Sequence, residues 1–129
     1  MLRLTMQNLG DVTVFRLAGR ITAGDNEGLC KAVQSQRDTR VAVLDLADVT
    51  SVDASGLGAL LCVRAWTRRR SIRLKLMNLT PMVEDLLELT HLRSAFEICS
   101  VQDMVDLLCR ASDPSRFAAW EFADAARAS

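Results

Sequence analysis

Residues 41–66, with the sequence VAVLDLADVTSVDASGLGALLCVRAW, decide the fold. The first six, Val41–Leu46, are apolar apart from one aspartate, which is typical of a strand that is buried on both faces of a sheet. Apolar residues then recur at helical spacing, at Leu57, Leu60, Leu61 and Ala65. We therefore predict a central strand, a short polar connection, and a helix that begins close to Ser55.

The N-terminal residues predict a β-hairpin followed by a helix. Apolar and polar side chains alternate over Leu2–Gln7, and after a turn-like segment a second run extends over Val12–Leu17. Gly19 breaks this second run. Thr22 and Asp25, three residues apart, resemble a capping box, so we predict that the first helix begins just after them.

The alternation of strands and helices continues after the central helix. Residues 72–76 alternate like a half-exposed strand, and Thr80–Pro81 places a cap before a proline at the start of a third helix. A short strand over Phe96–Cys99 is followed by Ser100 and Asp103, a second capping-box pattern. The sequence therefore predicts an α/β domain in which a mixed sheet of about four to five strands packs with about four helices.

The composition indicates one compact domain without an overall field for a charged partner. Half of the 129 residues are apolar, and 16 basic residues balance 16 acidic ones. The basic cluster Arg68–Arg70 follows the central helix, where cations complement the helix dipole, so we predict no nucleic-acid partner. No apolar run is long enough to cross a bilayer, and the N-terminus lacks the apolar segment of a signal peptide, so we predict no membrane insertion.

The cysteines and the histidine argue against metal chemistry. Four cysteines, Cys30, Cys62, Cys99 and Cys109, are scattered without a C-x-x-C pair, and the chain contains one histidine. This arrangement suits neither a zinc site nor a secreted disulfide framework. We therefore predict a protein of the reducing cytoplasm that carries no metal and no cofactor.

Ser55 has two interpretations at the start of the central helix. Serine is a favoured N-cap, because its oxygen accepts a hydrogen bond from a backbone N–H group of the first turn. A hydroxyl exposed there, beside the carboxylate of Asp53, is also a place where phosphorylation would add about −1.5 to −2 charges. Ser55 is a structural cap in the first interpretation and a switch in the second. In both, Gly56 leaves the backbone uncrowded.

Several segments together resemble the STAS domain of bacterial anti-sigma factor antagonists. The resemblance covers about residues 2–112 in the same order of elements. The segments that carry it are Gly19, Leu44–Leu46, Val52–Gly58, Asn78–Pro81 and Leu89–Leu92. It implies a STAS domain over residues 1–112, followed by an extension over residues 113–129.

The resemblance also implies a function and two partners. In that family, an anti-sigma factor that is also a serine kinase phosphorylates the serine directly before the glycine, which is Ser55 here, and a serine phosphatase restores it. Asp53 and Gly56 would then support the switch loop. The unmodified protein would bind the anti-sigma factor and so release a sigma factor for transcription, and the phosphorylated protein would dissociate. The resemblance implies a regulator and not an enzyme.

The sequence departs from the family pattern at three positions. Ala54 stands where the family often has serine or threonine, but the phosphate acceptor Ser55 is kept. Thr22 replaces an acidic residue that is usual after the first glycine motif, and His91 replaces a glycine after the third helix. Thr22 and His91 lie in predicted loops that shape the surface, so we expect an effect on the choice of partner.

The central helix also predicts a partner-binding face. Gly58, Cys62 and Trp66 recur at i, i+4 and i+8, opposite part of the Leu57 and Leu61 stripe. The alternative is that this side packs on the third helix, because apolar spacing is consistent with both interpretations.

The tail predicts an additional C-terminal helix over residues 113–129. Asp113–Pro114 suits a helix start, and Phe117, Trp120 and Phe122 make the segment apolar enough to need a covering surface. We expect it to fold back onto its own domain, with a homodimer or a partner contact as the alternative.

Two other classes of function remain as alternatives. A STAS adaptor or scaffold subunit, in a stress-signalling or lipid-transport complex, would dock a partner at the same helix start without acting on a sigma factor. An enzyme has less support, because the sequence contains no P-loop, no metal-ligand set and no nucleophile paired with a base. We interpret His91 as a loop residue.

Overall fold

The computed structural model describes residues 2–22, 24, 26–36 and 38–110, and five strands alternate with four α-helices in this part of the chain. The strands are β1 Arg3–Asn8, β2 Val12–Ile21, β3 Val41–Val52, β4 Arg73–Met77 and β5 Glu97–Cys99. The α-helices are α1 Asn26–Gln34, α2 Ala54–Arg69, α3 Pro81–Leu89 and α4 Val101–Arg110, and a short 3₁₀ helix, Arg93–Ala95, precedes β5. Asp25 of the predicted capping box and the predicted helix over residues 113–129 lie outside the described residues.

The strands form one mixed sheet in the order β1-β2-β3-β4-β5. β1 pairs antiparallel with β2, which confirms the predicted hairpin, and the other three pairs are parallel. β3 is the central strand, as its apolar run predicted. Each parallel pair is joined through a helix, so the predicted α/β fold with a mixed sheet is confirmed.

Three helices cover one face of the sheet. Phe15 of β2 and Leu44 of β3 pack there in a single cluster with Leu29 of α1, Leu60 of α2 and Leu87 of α3. All five side chains are almost completely buried. This apolar contact holds α2 against the sheet and leaves its other side toward solvent.

The fourth helix covers the opposite face. Val14 of β2 and Val43 of β3, which point away from the first cluster because side chains alternate along a strand, pack with Met104 of α4. Both faces of β2 and β3 are therefore covered, which explains why their sequences are apolar runs instead of alternating patterns.

β2 and β3 are longer than the sequence predicted. Gly19 does not end β2: it lies inside the strand at φ 98°, beside shifts in the pairing register with β3, and β2 continues to Ile21. The polar connection predicted after Leu46 is also wrong, because β3 continues to Val52 and pairs there with the end of β2. Pairing with β2 satisfies the backbone of this polar segment, so it needs no apolar pattern to be a strand.

The buried face of α2 differs in part from the predicted one. Leu57 and Leu60 are buried as predicted, Leu61 is half-buried, and Ala65 is exposed. The buried residues of α2 are Gly56, Leu57, Ala59, Leu60, Val63 and Thr67. The buried face of α2 differs from the predicted one because Gly56, whose small size permits close contact, faces the sheet.

The predicted starts of the last two helices are confirmed by their hydrogen bonds. Thr80 is the N-cap of α3, its Oγ1 accepting from the backbone N–H of Val83 at 3.3 Å, and Pro81 opens the helix. Ser100 Oγ accepts from the Asp103 N–H at 3.1 Å, and an Asp103 carboxylate oxygen accepts from the Ser100 N–H at 3.0 Å. This reciprocal pair is a capping box.

Candidate functional site

The start of α2 is capped by Asp53 and not by Ser55. Asp53 has extended backbone angles, and its Oδ1 accepts a hydrogen bond from the Gly56 N–H at 2.7 Å. The helix begins at Ala54, so Ser55 is its second residue. The interpretation of Ser55 as the N-cap is therefore wrong. The physical reason is that a carboxylate two residues earlier already accepts from the first turn.

Ser55 is exposed in the first turn of α2. Because Asp53 makes the capping bond, the cap does not depend on the Ser55 hydroxyl. The N–H groups at a helix start carry a partial positive charge, which favours an anion bound or attached there. The geometry therefore presents an accessible hydroxyl where an added phosphate has backbone donors nearby.

Gly56 fixes the start of α2 against the end of β2. A Cβ atom at Gly56 would lie 2.0 Å from the carbonyl oxygen of Ile21 and 2.7 Å from its carbonyl carbon. The same carbonyl oxygen accepts a hydrogen bond from the Asp53 N–H at 3.4 Å. The requirement for glycine after Ser55 is therefore steric, because only a residue without a side chain allows α2 to approach the carbonyl group of Ile21 this closely.

Thr22 lies beside the same helix start. Ile21 and Val52 are register partners at the ends of β2 and β3, and Thr22 and Asp53 directly follow them. Because parallel strands end at the same edge of the sheet, the structure brings together Thr22 and the segment that carries Ser55. Thr22 is half-buried.

The predicted partner-binding residues continue from Ser55 along one side of α2. Gly58, Cys62 and Trp66 follow Ser55 by three, seven and eleven residues, spacings that place all four on one side of a helix. Gly58 and Cys62 are exposed, and a Cβ atom at Gly58 would meet nothing within 4 Å. We call Ser55, Gly58, Cys62 and Trp66 the α2 stripe.

The stripe is not uniform along its length. Trp66 is half-buried and packs partly against the core, with the guanidinium carbon of Arg70 5.5 Å from the centre of its ring. Cys62 contacts Cys30 of α1, with the two sulfurs 3.2 Å apart. The helix beside the stripe is therefore α1, not the third helix that the alternative interpretation named.

Cys30, the residue of α1 that contacts Cys62, was not predicted as part of the site. Burial first, and then the neighbouring Cys62, raises the pKa of the Cys30 thiol to about 12. Cys30 and Cys62 are 32 residues apart in the sequence. No local pattern connects them, and only the packing of α1 on α2 brings them together.

A buried aspartate near the middle of β3 was also missed. Asp45 is 2% exposed, and its carboxylate accepts hydrogen bonds from Arg16 Nη2 at 3.1 Å, Asn78 Nδ2 at 3.2 Å and the Ala47 N–H at 3.1 Å. The signal that could have indicated its burial was its position as the one charged residue in the apolar run Val41–Leu46. Arg16 lies in β2 and Asn78 directly follows β4, so Asp45 connects β3 to both of its neighbouring strands, which is a structural role.

His91 follows the C-terminal end of α3 and does not belong to the start of α2. It is exposed at φ 58° in the turn after α3 and lines a surface cavity of about 560 Å³ with Leu87, Phe96 and Ile98. A position with positive φ explains why a glycine would also suit this turn. Within the described residues, no group of three or more histidine, cysteine, aspartate or glutamate side chains is placed to hold a metal ion.

Comparison with solved structures identifies the fold. The anti-sigma factor antagonist SpoIIAA in its unphosphorylated form has a TM-score of 0.62 and 16% identity, covering 86% of this chain and 99% of that one. SpoIIAA of Bacillus in its phosphorylated form has a TM-score of 0.60 and 16% identity, covering 82% and 97%. A sulfate transporter family protein from Wolinella succinogenes has a TM-score of 0.63 and 20% identity, covering 68% and 75%.

In the described part of the chain, no helix combines the length and the apolar character needed to span a membrane.

Sequence comparison gives the family. No curated protein matches the chain. The model of the STAS domain family matches residues 3–105, which include every strand, α1 to α3, and the Asp53–Gly56 helix start. The chain therefore belongs to the STAS domain family.

Proposed function

We propose that this protein is an anti-sigma factor antagonist that is switched by phosphorylation of Ser55. In its unmodified form it binds an anti-sigma factor that is also a serine kinase, and thereby releases a sigma factor. The observation that carries the proposal is the exposed hydroxyl of Ser55 in the first turn of α2, which the cap at Asp53 leaves available for modification. Similarity in fold to SpoIIAA, for which unphosphorylated and phosphorylated forms are both known, supports it.

The kinase docks over the start of α2 and presents the γ-phosphate of ATP to Ser55. The close contact between Gly56 and Ile21 holds this segment in place, so the hydroxyl is offered from a rigid turn instead of a mobile loop. Asp53 supports the same turn through its bond to the Gly56 N–H. Thr22, at the adjacent strand end, contributes to the choice of partner.

The α2 stripe forms part of the docking surface. Gly58 and Cys62 are exposed on the same side as Ser55, and Gly58 presents bare backbone surface to a partner. Phosphorylation brings a dianion into this interface. A penalty of about 2.8 kcal/mol against a desolvated or acidic partner surface already weakens affinity about a hundredfold. A serine phosphatase reverses the modification, and the protein acts with these partners in the cytoplasm.

Binding by two variants at Ser55 tests the proposal. We expect Ser55→Ala to bind the cognate anti-sigma factor like the unmodified protein, and Ser55→Asp to lose binding, as measured by titration calorimetry. Ser94→Asp is the matched control, because Ser94 is exposed outside α2 and receives the same charge. Equal binding by the two Ser55 variants would refute the switch.

The partner itself is to be identified in the native cell. Affinity purification with mass spectrometry reads both the bound proteins and the modification state of Ser55. Recovery of an anti-sigma factor kinase with the unmodified protein, and of a phosphorylated Ser55 peptide in the fraction of the protein that is not bound to it, supports the proposal.

A second function, a STAS adaptor or scaffold subunit, is supported by the similarity to the sulfate transporter family protein. In that case the start of α2 docks a partner without acting on a sigma factor. Co-purification with transporter subunits, or a higher-order assembly in gel filtration, distinguishes this function from the first.

A further inference from the structure

We propose that Cys30 and Cys62 are a redox-sensitive thiol pair that forms a disulfide between α1 and α2. Their sulfurs lie 3.2 Å apart on facing helices. A disulfide has an S–S length of about 2.05 Å, so the sulfurs need to approach by only about 1.1 Å.

The two cysteines differ in a way that assigns their roles. Cys62 is exposed on the α2 stripe, where a small oxidant reaches it from solvent. Cys30 is 8% exposed, and burial raises the pKa of its thiol to about 12, so it stays protonated at neutral pH. Because solvent reaches Cys62 whereas Cys30 is buried and protonated, Cys62 is oxidised first and Cys30 resolves the product.

The reaction balances with a hydroperoxide as the oxidant. The Cys62 thiolate attacks the terminal peroxide oxygen, the O–O bond breaks, and the leaving alkoxide or hydroxide takes up a proton, which leaves a sulfenic acid on Cys62. The Cys30 sulfur then attacks the Cys62 sulfur, the S–O bond breaks, and water leaves with the Cys30 proton. In total, two thiols are oxidised and one hydroperoxide is reduced to an alcohol and water, or to two waters when the oxidant is hydrogen peroxide.

The other two cysteines provide internal controls. Cys99 is buried in the cluster on the opposite face of the sheet, and Cys109 is exposed on α4, which covers that face. Cys109 therefore matches Cys62 in exposure but lies on another helix. A reducing cytoplasm keeps the pair as thiols at rest, and disulfides in that compartment are usually transient and redox-sensing.

Disulfide formation would change the surface of the α2 stripe, and this change does not depend on which partner binds the stripe. Cys62 follows Ser55 by seven residues, or about 10.5 Å along the helix axis. The bond removes the exposed thiol and ties this part of α2 to α1. Formation of this disulfide therefore does not depend on phosphorylation at Ser55.

Oxidation of the purified full chain with one molar equivalent of hydrogen peroxide tests the proposal. After complete reduction and removal of reductant, we expect the monomer to fall from four titratable thiols to two. Peptide mapping should find the peptide containing Cys30 joined to the peptide containing Cys62. Cys62→Ser, at an exposed position, should keep all three of its thiols, whereas Cys109→Ser should fall from three thiols to one.

Three outcomes would overturn the inference. They are no loss of thiols in the wild-type chain, oxidation of Cys62 to sulfinic acid without a bond to Cys30, and disulfides that join separate chains.

Discussion

A pair of glycine substitutions tests how the start of α2 is held. Gly56→Ala places a Cβ atom 2.0 Å from the carbonyl oxygen of Ile21, whereas Cβ contacts under 3.0 Å essentially never occur. The helix start or the end of β2 therefore has to move by about 1 Å, and neither is a flexible side chain. Gly58→Ala adds the same methyl group two residues later, where nothing lies within 4 Å.

The two substitutions have opposite expected effects on the free energy of unfolding. An added methyl group in a packed site costs about 1–3 kcal/mol, and the better helix propensity of alanine offsets about 1 kcal/mol of this. The shift also breaks the bond from the Gly56 N–H to Asp53, which costs about 1 kcal/mol more. We expect a net destabilisation of about 1–3 kcal/mol for Gly56→Ala and a stabilisation of about 1 kcal/mol for Gly58→Ala.

Urea unfolding followed by circular dichroism at the helix band measures the difference. With an m-value of about 2 kcal/mol per molar, the midpoints of the two variants should differ by roughly 1–2 M. If the Gly56→Ala midpoint equals or exceeds that of Gly58→Ala, the close approach to Ile21 does not hold the helix start, and the steric explanation is wrong.

Substitutions at three further residues are measured in the same unfolding assay. Asp53→Ala removes the cap of α2 and should cost about 1 kcal/mol, with Asp53→Asn close to wild type; equal losses would argue against capping. Asp45→Ala leaves Arg16 without its buried partner and should cost about 3 kcal/mol or more, and a loss under 1 kcal/mol would contradict this. Lys75 lowers the pKa of Glu97, so Glu97 stabilises the fold above its ordinary value of 4.5 and this contribution is lost as the pH falls through the lowered pKa. Glu97→Gln should therefore lose less stability in acid than wild type, and identical pH profiles would contradict the assignment.

Much of the fold could be predicted because its signals are local. The starts of α3 and α4 depend on hydrogen bonds between residues three apart, and Thr80 and Ser100 occupy the predicted cap positions. The order of strands and helices follows from changes in hydrophobic period along the chain. These features need no knowledge of which strands become neighbours.

The length of β3 could not be predicted for the opposite reason. Residues 47–51 have no strand-like pattern, and they are a strand because the end of β2 pairs with them. The same limit applies to Gly56, whose role depends on the carbonyl of Ile21, 35 residues earlier in the sequence. Cys30 and Cys62 likewise became neighbours only through the packing of two helices.

The choice between Asp53 and Ser55 as the cap required backbone geometry. Both side chains are good caps by residue type, and the sequence places them two residues apart. The extended backbone at Asp53 and the start of the helix at Ala54 decide between them. The sequence could therefore locate the helix start, but it could not show that the cap and the proposed phosphate acceptor are different residues.

The separation of these two residues limits what phosphorylation can do to the domain itself. A phosphate on Ser55 is attracted to the helix start by about 0.3–1 kcal/mol per charge, and Asp53 repels it by up to about 1 kcal/mol per charge, the value for two like charges roughly 4 Å apart in water. These two terms are opposite in sign and similar in size, and the Ser55 side chain is exposed. The fold should therefore tolerate the modification with little change in stability. A partner surface placed over Ser55 would exclude the water that screens the phosphate, so the energetic effect of the proposed switch belongs to the interface.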